Sequence, residues 1–229
     1  MALFREPAAA GDSALVRHLE SHGPKTLLAI SHIRRATQGL VALANTQPFA
    51  RELGGRTHVF AHNGNLSGIL DSPELSIGTC RPVGQTDSEL AFCALLSRLR
   101  TLWSGTRAPT MEARSALVAA FAADLRALGP ANFLYADGDV LFAHGHRRIQ
   151  RTTGRVEAPG LWILQRRCTA AAPPSAHQEA VSIAPGDQAV VLIASVPLTE
   201  EAWRPLSEGE VVIVRNGEVV TRRAAKDEL

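Results

Sequence analysis

The sequence predicts an α+β fold in which helices pack on antiparallel sheets, in a single domain covering residues 1–229. Strand-like apolar runs come first, two capped helical segments occupy the middle, and strands joined by hairpin turns make up the rest. No linker, repeat or low-complexity segment divides the sequence.

A first helix is expected from Asp12 or Ser13, either of which can cap it, through Leu15 and Leu19 to a stop at Gly23-Pro24. The run TLLAISHI, Thr26 to Ile33, reads as a buried strand. From Arg34 to Arg56 the chain is rich in Gly, Asn, Thr, Gln and Pro and follows neither period, so it reads as a long loop leading into a strand at Thr57 to Ala61. Long loops between strands are where sites concentrate.

Thr86 and Glu89 have capping-box spacing ahead of the periodic run Leu90, Phe92, Cys93, Leu95, Leu96 and Leu99, which predicts a helix to about Trp103. After the break from Gly105 to Pro109, Thr110 caps a second helix carrying Leu117, Val118, Phe121, Leu125 and Leu128, closed by Gly129-Pro130. Asp137-Gly138 and Asn216-Gly217 each separate two apolar runs and read as two-residue hairpin turns. LWIL and AVVLIAS supply further strands, and Thr169 to Gln178 reads as a flexible loop.

Composition narrows the function. The chain is 45% hydrophobic and 20% charged with a net charge of +2, so it can bury a core and lacks the dense basic surface that phosphate backbones require. Nucleic acid and membrane are not expected partners. The basic cluster His144 to Arg151 reads as a solvated strand end rather than a polyanion site. Cys80, Cys93 and Cys168 form an odd set without C-x-x-C spacing, which argues against a disulfide framework and a zinc site; a reducing cytoplasm is expected, with no cofactor and no metal. The first residues carry charge and proline where a signal peptide needs an apolar stretch, so the terminal Lys226-Asp227-Glu228-Leu229 reads as a chance match to a retrieval signal.

Four blocks carry chemistry: SHIRRATQG (Ser31 to Gly39), NTQPF (Asn45 to Phe49), AHNGNL (Ala61 to Leu66) and GQTDSE (Gly84 to Glu89). Arg34 offers a planar fork that holds a carboxylate bidentately. Asp87, in the first turn of a helix, either holds an ammonium group or complements the helix dipole. Asn63-Gly64 is either a hairpin turn or an oxyanion hole, a side-chain amide and a close-approaching backbone N–H aimed at a tetrahedral oxygen. His62 reads as support for that turn, and His32 as a packed strand residue.

Together and in this order, the blocks resemble the glutamine-binding motifs of class II glutamine amidotransferases, closest to the small stand-alone bacterial type, over most of the chain. The resemblance implies the four-layer αββα sandwich of the N-terminal-nucleophile hydrolases. It implies that Arg34 binds the α-carboxylate of glutamine and Asp87 its α-ammonium, that Asn63 and Gly64 form the oxyanion hole, that Thr37 and Gly39 shape the pocket wall, and that Asn45 to Phe49 brace the loop. Family members attack the amide with a cysteine that follows the initiator methionine and whose own α-amine is the base. Here that position is Ala2.

The expectation is therefore a family member whose front segment is missing, with a glutamine pocket and without turnover. Its ammonia acceptor would come from a partner chain. The alternative is a non-catalytic glutamine-binding module. Amide hydrolysis through an internal cysteine ranks last, because no cysteine is set beside a histidine in sequence.

Overall fold

The computed structural model describes residues 1–34, 40–105, 107–169 and 186–225. Its centre is a six-stranded antiparallel sheet in the order β1 (Phe49–Leu53), β2 (Arg56–Gly64), β3 (Ala131–Ala136), β4 (Leu141–His144), β10 (Val211–Arg215) and β11 (Glu218–Arg223). Both faces of this sheet are covered. On one face Phe49, Phe60, Phe133, Tyr135 and Phe142 pack against the helices α2 (Asp87–Leu99) and α3 (Met111–Arg126). On the other face Ala136, Ala143 and Val212 pack against Ile163 and Leu206 of a second region, which contains a three-stranded sheet in the order β8 (Gln188–Ala194), β7 (Trp162–Cys168), β9 (Arg204–Pro205). Alternation along a strand sends neighbouring side chains to opposite cores, so residues 133 and 135 enter one and 134 and 136 the other. A short ribbon, β5 (Arg148–Ile149) with β6 (Val156–Glu157), completes the strands among the described residues.

The helices begin where hydroxyl side chains cap them. Ser13 Oγ accepts from Val16 N at 2.9 Å to start α1 (Ala14–His22), Thr86 Oγ1 accepts from Glu89 N at 3.3 Å, and Thr110 Oγ1 accepts from Ala113 N at 3.2 Å. The helix α1 lies on the surface with no buried residue. The α+β class is the one the sequence predicts, but several elements differ from expectation.

Thr26 to Ile33 is not a strand. Leu27 and Ile33 are 98% and 75% exposed, and only Ile30 packs against the second core. An apolar run becomes a strand only where another strand receives its N–H and C=O groups, and none of the described strands lies beside it. Conversely, Phe49–Leu53, read as loop, is β1: Gly54 and Gly55, with φ of 60° and 74°, turn it back onto β2 with Leu53 opposite Arg56. Asn63 and Gly64 are not a turn either. They are the last paired residues of β2, opposite Asn132 and Ala131.

Asn216-Gly217 does form the expected two-residue turn, with φ of 52° and 76°. Asp137-Gly138 belongs instead to a longer connection, because Asp137 Oδ1 accepts from both Asp139 N and Val140 N at 3.0 Å and holds the turn open to four residues. The other Asp137 oxygen receives Arg114 Nη1 at 2.8 Å, while Arg114 Nη2 reaches Asp139 at 3.0 Å. This ion pair ties α3 to the β3–β4 connection with Asp137 fully buried.

The expected absence of disulfides is also corrected: Cys80 and Cys93 are joined, with Cα atoms 5.4 Å apart. Short turns at Pro73–Leu75 and before Cys80 fold the loop back across α2, so thirteen residues of sequence separation close to one contact. Cys80 is therefore not the free thiol the sequence suggests, and cysteine usage no longer points to a reducing compartment. Among the described residues no helix is long and apolar enough to cross a membrane.

Removing Arg114 leaves a fully buried carboxylate without its cation. Arg114→Met is expected to lower stability by about 3–5 kcal/mol, read as a lower urea midpoint at unchanged slope; a midpoint equal to that of the parent chain would show that the pair does not hold α3 to the sheet.

Candidate functional site

Gln47 joins two of the four blocks. Its Nε2 donates to the His62 carbonyl at 3.1 Å and its Oε1 accepts from His62 N at 2.6 Å, so one amide side chain extends the strand ladder beside β2 as a neighbouring strand would. Asn45 joins two more contacts: Nδ2 donates to Leu40 O at 3.0 Å and Oδ1 accepts from Gln85 N at 2.8 Å. Both side chains are buried. Arg34 Nη1 also donates to Leu40 O at 3.0 Å. Arg34, at the described end of the first block, thus shares the Leu40 acceptor with Asn45.

The helix α2 is attached to the same place by its carboxylates. Asp87 Oδ2 accepts from Leu66 N at 2.8 Å and its Oδ1 accepts from Ser88 N at 2.8 Å. Glu89, only 1% exposed, accepts from Val83 N at 3.0 Å, from Gly84 N at 2.6 Å and from Arg51 of β1. The capping box is therefore half made: Thr86 caps Glu89 N, but the Glu89 carboxylate goes to the preceding loop and to Arg51. Gly84 is required here, since a Cβ would lie 2.3 Å from Asn45 Oδ1 and 2.6 Å from Ala44 O.

The alternation of β2 splits the site into two sides. His62 is buried and faces α2, with Nδ1 3.0 Å from Ser88 Oγ and Nε2 3.3 Å from the Pro130 carbonyl. Asn63 faces the second sheet, where Nδ2 donates to Ser195 Oγ at 3.1 Å. Gly64 follows at the strand end. A Cβ there would meet Pro130 O at 1.7 Å and His62 Nε2 at 2.7 Å, so glycine is required by the approach of the neighbouring backbone and not by a turn.

Asn63, Gly64 and Asp87 are exposed or partly exposed at the ends of β2 and α2, and Arg34 is tied through the shared Leu40 carbonyl to Asn45, which in turn holds Gln85 N just before α2. Thr37 and Gly39 lie outside the described residues. The sequence reading missed Asn132, whose buried Nδ2 donates to Asn63 O at 3.0 Å and to Arg147 O at 2.7 Å. It also missed Ser195. Neither carries a local signal, since each acts across a strand pairing or a sheet-to-sheet contact. Among the described residues no group of three or more His, Cys, Asp and Glu is arranged to hold a metal ion.

The arrangement collects a cation, an anion and an amide donor around one strand end. The model of class II glutamine amidotransferases matches residues 1–228 of this sequence. The chain belongs to that family. YafJ of Escherichia coli K12, whose name assigns it to the glutamine amidotransferases, is 34% identical over 208 residues, covering 90% of this chain and 77% of YafJ. A Haemophilus influenzae protein named in the same way is 30% identical over 95% of this chain and 70% of its own length. The crystal structure of a predicted glutamine amidotransferase from Pseudomonas aeruginosa superposes with a TM-score of 0.64 at 36% identity, covering 83% of this chain and 70% of that one. This class II amidotransferase therefore has the N-terminal-nucleophile fold that its motifs imply, with stacked antiparallel sheets and the helices α2 and α3 covering the larger one among the described residues.

Electrostatics around the strand end keep the histidines neutral. Burial lowers His62 to about 4, against the opposing pull of Asp87, and lowers His144 to about 3. A neutral His144 donates from Nδ1 to Ala131 O at 2.6 Å and presents Nε2 to Arg126 at 3.4 Å. Burial lowers His32, His58 and His146 in the same direction. The folded pKa values lie below the unfolded value of 6.5, so below that pH the unfolded chain binds protons that the folded chain does not.

Stability is thus complete above pH 6.5 and falls as pH drops towards 4 and then 3. The loss by pH 5 is expected to be about 2 kcal/mol for each of His62 and His144. Glu201, Glu208 and Glu210, lowered from 4.5 chiefly by their arginine partners against burial, add their own losses only at more acidic pH. Urea unfolding at pH 7.5 and pH 5 checks this; equal stabilities would mean that these histidines titrate in the fold as they do in the unfolded chain.

Proposed function

We propose that this site binds L-glutamine. The Arg34 guanidinium takes the α-carboxylate and Asp87 takes the α-ammonium. The side chain of Asn63 and the N–H of Gly64 receive the γ-carbonyl oxygen, the atom on which negative charge develops when the amide is attacked. The observation that supports this reading is the set of hydrogen bonds by which Asn45, Gln47 and Asp87 join the second, third and fourth blocks at the ends of β2 and α2. Asp87 is set up for an ammonium group: two backbone N–H donors fix its carboxylate, and Oδ2 keeps a lone pair for a ligand.

The reaction of this arrangement is hydrolysis of glutamine to glutamate and ammonia through a γ-glutamyl thioester. It requires a thiolate with a base beside it. Cys80 and Cys93 are paired with each other, and Cys168 lies on β7 with no histidine in hydrogen-bond contact among the described residues. Residues 1–229 by themselves therefore bind glutamine without turning it over. An oxyanion hole and a substrate clamp stabilise a transition state that still needs an attacking group.

Calorimetric titration with L-glutamine tests the reading. Binding is expected, and Asp87→Asn, which keeps an acceptor for Leu66 N–H but removes the charge, is expected to weaken it by roughly tenfold or more. Absence of heat at millimolar glutamine, or equal affinity in the Asn variant, would sink the proposal. Ammonia release that disappears on alkylating Cys168 would overturn the claim that these residues lack a nucleophile.

A further inference from the structure

An oxyanion hole made with an asparagine side chain needs that amide aimed in one direction, and Asn63 stands exposed at a strand end where its side chain could rotate. Five contacts remove that freedom. Asn132 Nδ2 donates to Asn63 O at 3.0 Å and to Arg147 O at 2.7 Å, while Asn132 Oδ1 accepts from His146 N at 2.7 Å. The next residue, Arg148, donates through Nη1 to the backbone carbonyl of Ser195, just beyond β8. The hydroxyl of Ser195 accepts from Asn63 Nδ2 at 3.1 Å.

The path closes on itself. It leaves Asn63 by its main-chain carbonyl, passes through Asn132, Arg147-Arg148 and Ser195, and returns to the Asn63 side chain. Space for it is made by Gly160, where a Cβ would lie 1.6 Å from Asn132 Oδ1.

A carboxamide nitrogen carries two hydrogens. Bonding one of them to Ser195 Oγ fixes the plane of the amide, and the second then points in a set direction for a ligand oxygen. We infer that Ser195, anchored by Arg148, is a positioning residue that aims the Asn63 side-chain amide at the γ-carbonyl oxygen of glutamine. This rests on the glutamine reading given above. It places the orientation of the hole under the control of the second sheet: β2 supplies the donor, and the segment after β8 sets its angle. Ser195 does not act as a nucleophile, because no histidine or carboxylate is hydrogen-bonded to its hydroxyl among the described residues.

The test is nitrogen-15 NMR of the full 229-residue chain, with the Asn63 side-chain NH₂ pair assigned as the pair missing from Asn63→Ala. In Ser195→Ala the exchange of these hydrogens with solvent is expected to rise by roughly two- to tenfold, the factor a net hydrogen bond is worth. The difference in shift between the two hydrogens is expected to shrink. Ser195→Thr, which keeps the hydroxyl, is expected to restore both. An unchanged Asn63 pair in Ser195→Ala overturns the inference, as does an equal change in Ser195→Thr, which would mark a packing role alone. Addition of L-glutamine to the parent chain separates the two claims. Failure to move the Asn63 pair there sinks the glutamine reading, while the free-state comparison of the variants still decides whether Ser195 aims Asn63.

Discussion

The carboxylate of Glu89 is the contact on which the rest of the site depends. It is almost completely buried, yet it collects two backbone N–H groups from Val83 and Gly84 and the Arg51 guanidinium of β1. A buried charge persists only when its lone pairs are satisfied. Satisfying these holds the loop before α2 flat against the sheet, and that in turn sets Asp87 two residues earlier against Leu66 N at the exit of β2. The ends of β2 and α2 meet because one side chain is fully paired.

The second constraint is the alternation of β2 between two covered faces. Consecutive residues His62 and Asn63 are sent to opposite sides, one into the helix-covered core and one towards the three-stranded sheet. Burial keeps His62 neutral and confines it to orienting its neighbours through Ser88 and Pro130. Asn63, at the open end, is exposed and bonds Ser195. The same pleat thus separates a buried group from the exposed one assigned to glutamine in the proposal, without any intervening loop.

What could be read in the sequence was whatever has a local cause. Thr86 and Thr110 cap their helices as their spacing says, and Asn216-Gly217 forms its turn because both residues take positive φ. The blocks around Arg34, Asn63 and Asp87 were legible as family motifs, and hydrogen bonds join the Asn63 block to the Asp87 block at the exit of β2. The strand β1 was hidden because its cause is the Gly54-Gly55 turn and its partner, not its own composition. Thr26 to Ile33 has strand composition but no paired neighbour among the described strands. The Cys80–Cys93 bond, the Gln47 clamp and the Asn132–Ser195 path each join residues distant in sequence, and no spacing rule announces such contacts.

The central claim, that the ends of β2 and α2 hold one glutamine molecule in one orientation, is tested most directly by a crystal structure of this chain soaked in L-glutamine. The account predicts the α-carboxylate within hydrogen-bond distance of Arg34, the α-ammonium on Asp87 Oδ2, and the γ-carbonyl oxygen within reach of Asn63 Nδ2 and Gly64 N, with the Asn63–Ser195 bond intact. Glutamine bound with its side-chain amide turned away from Asn63, or bound elsewhere with this strand end empty, would contradict it.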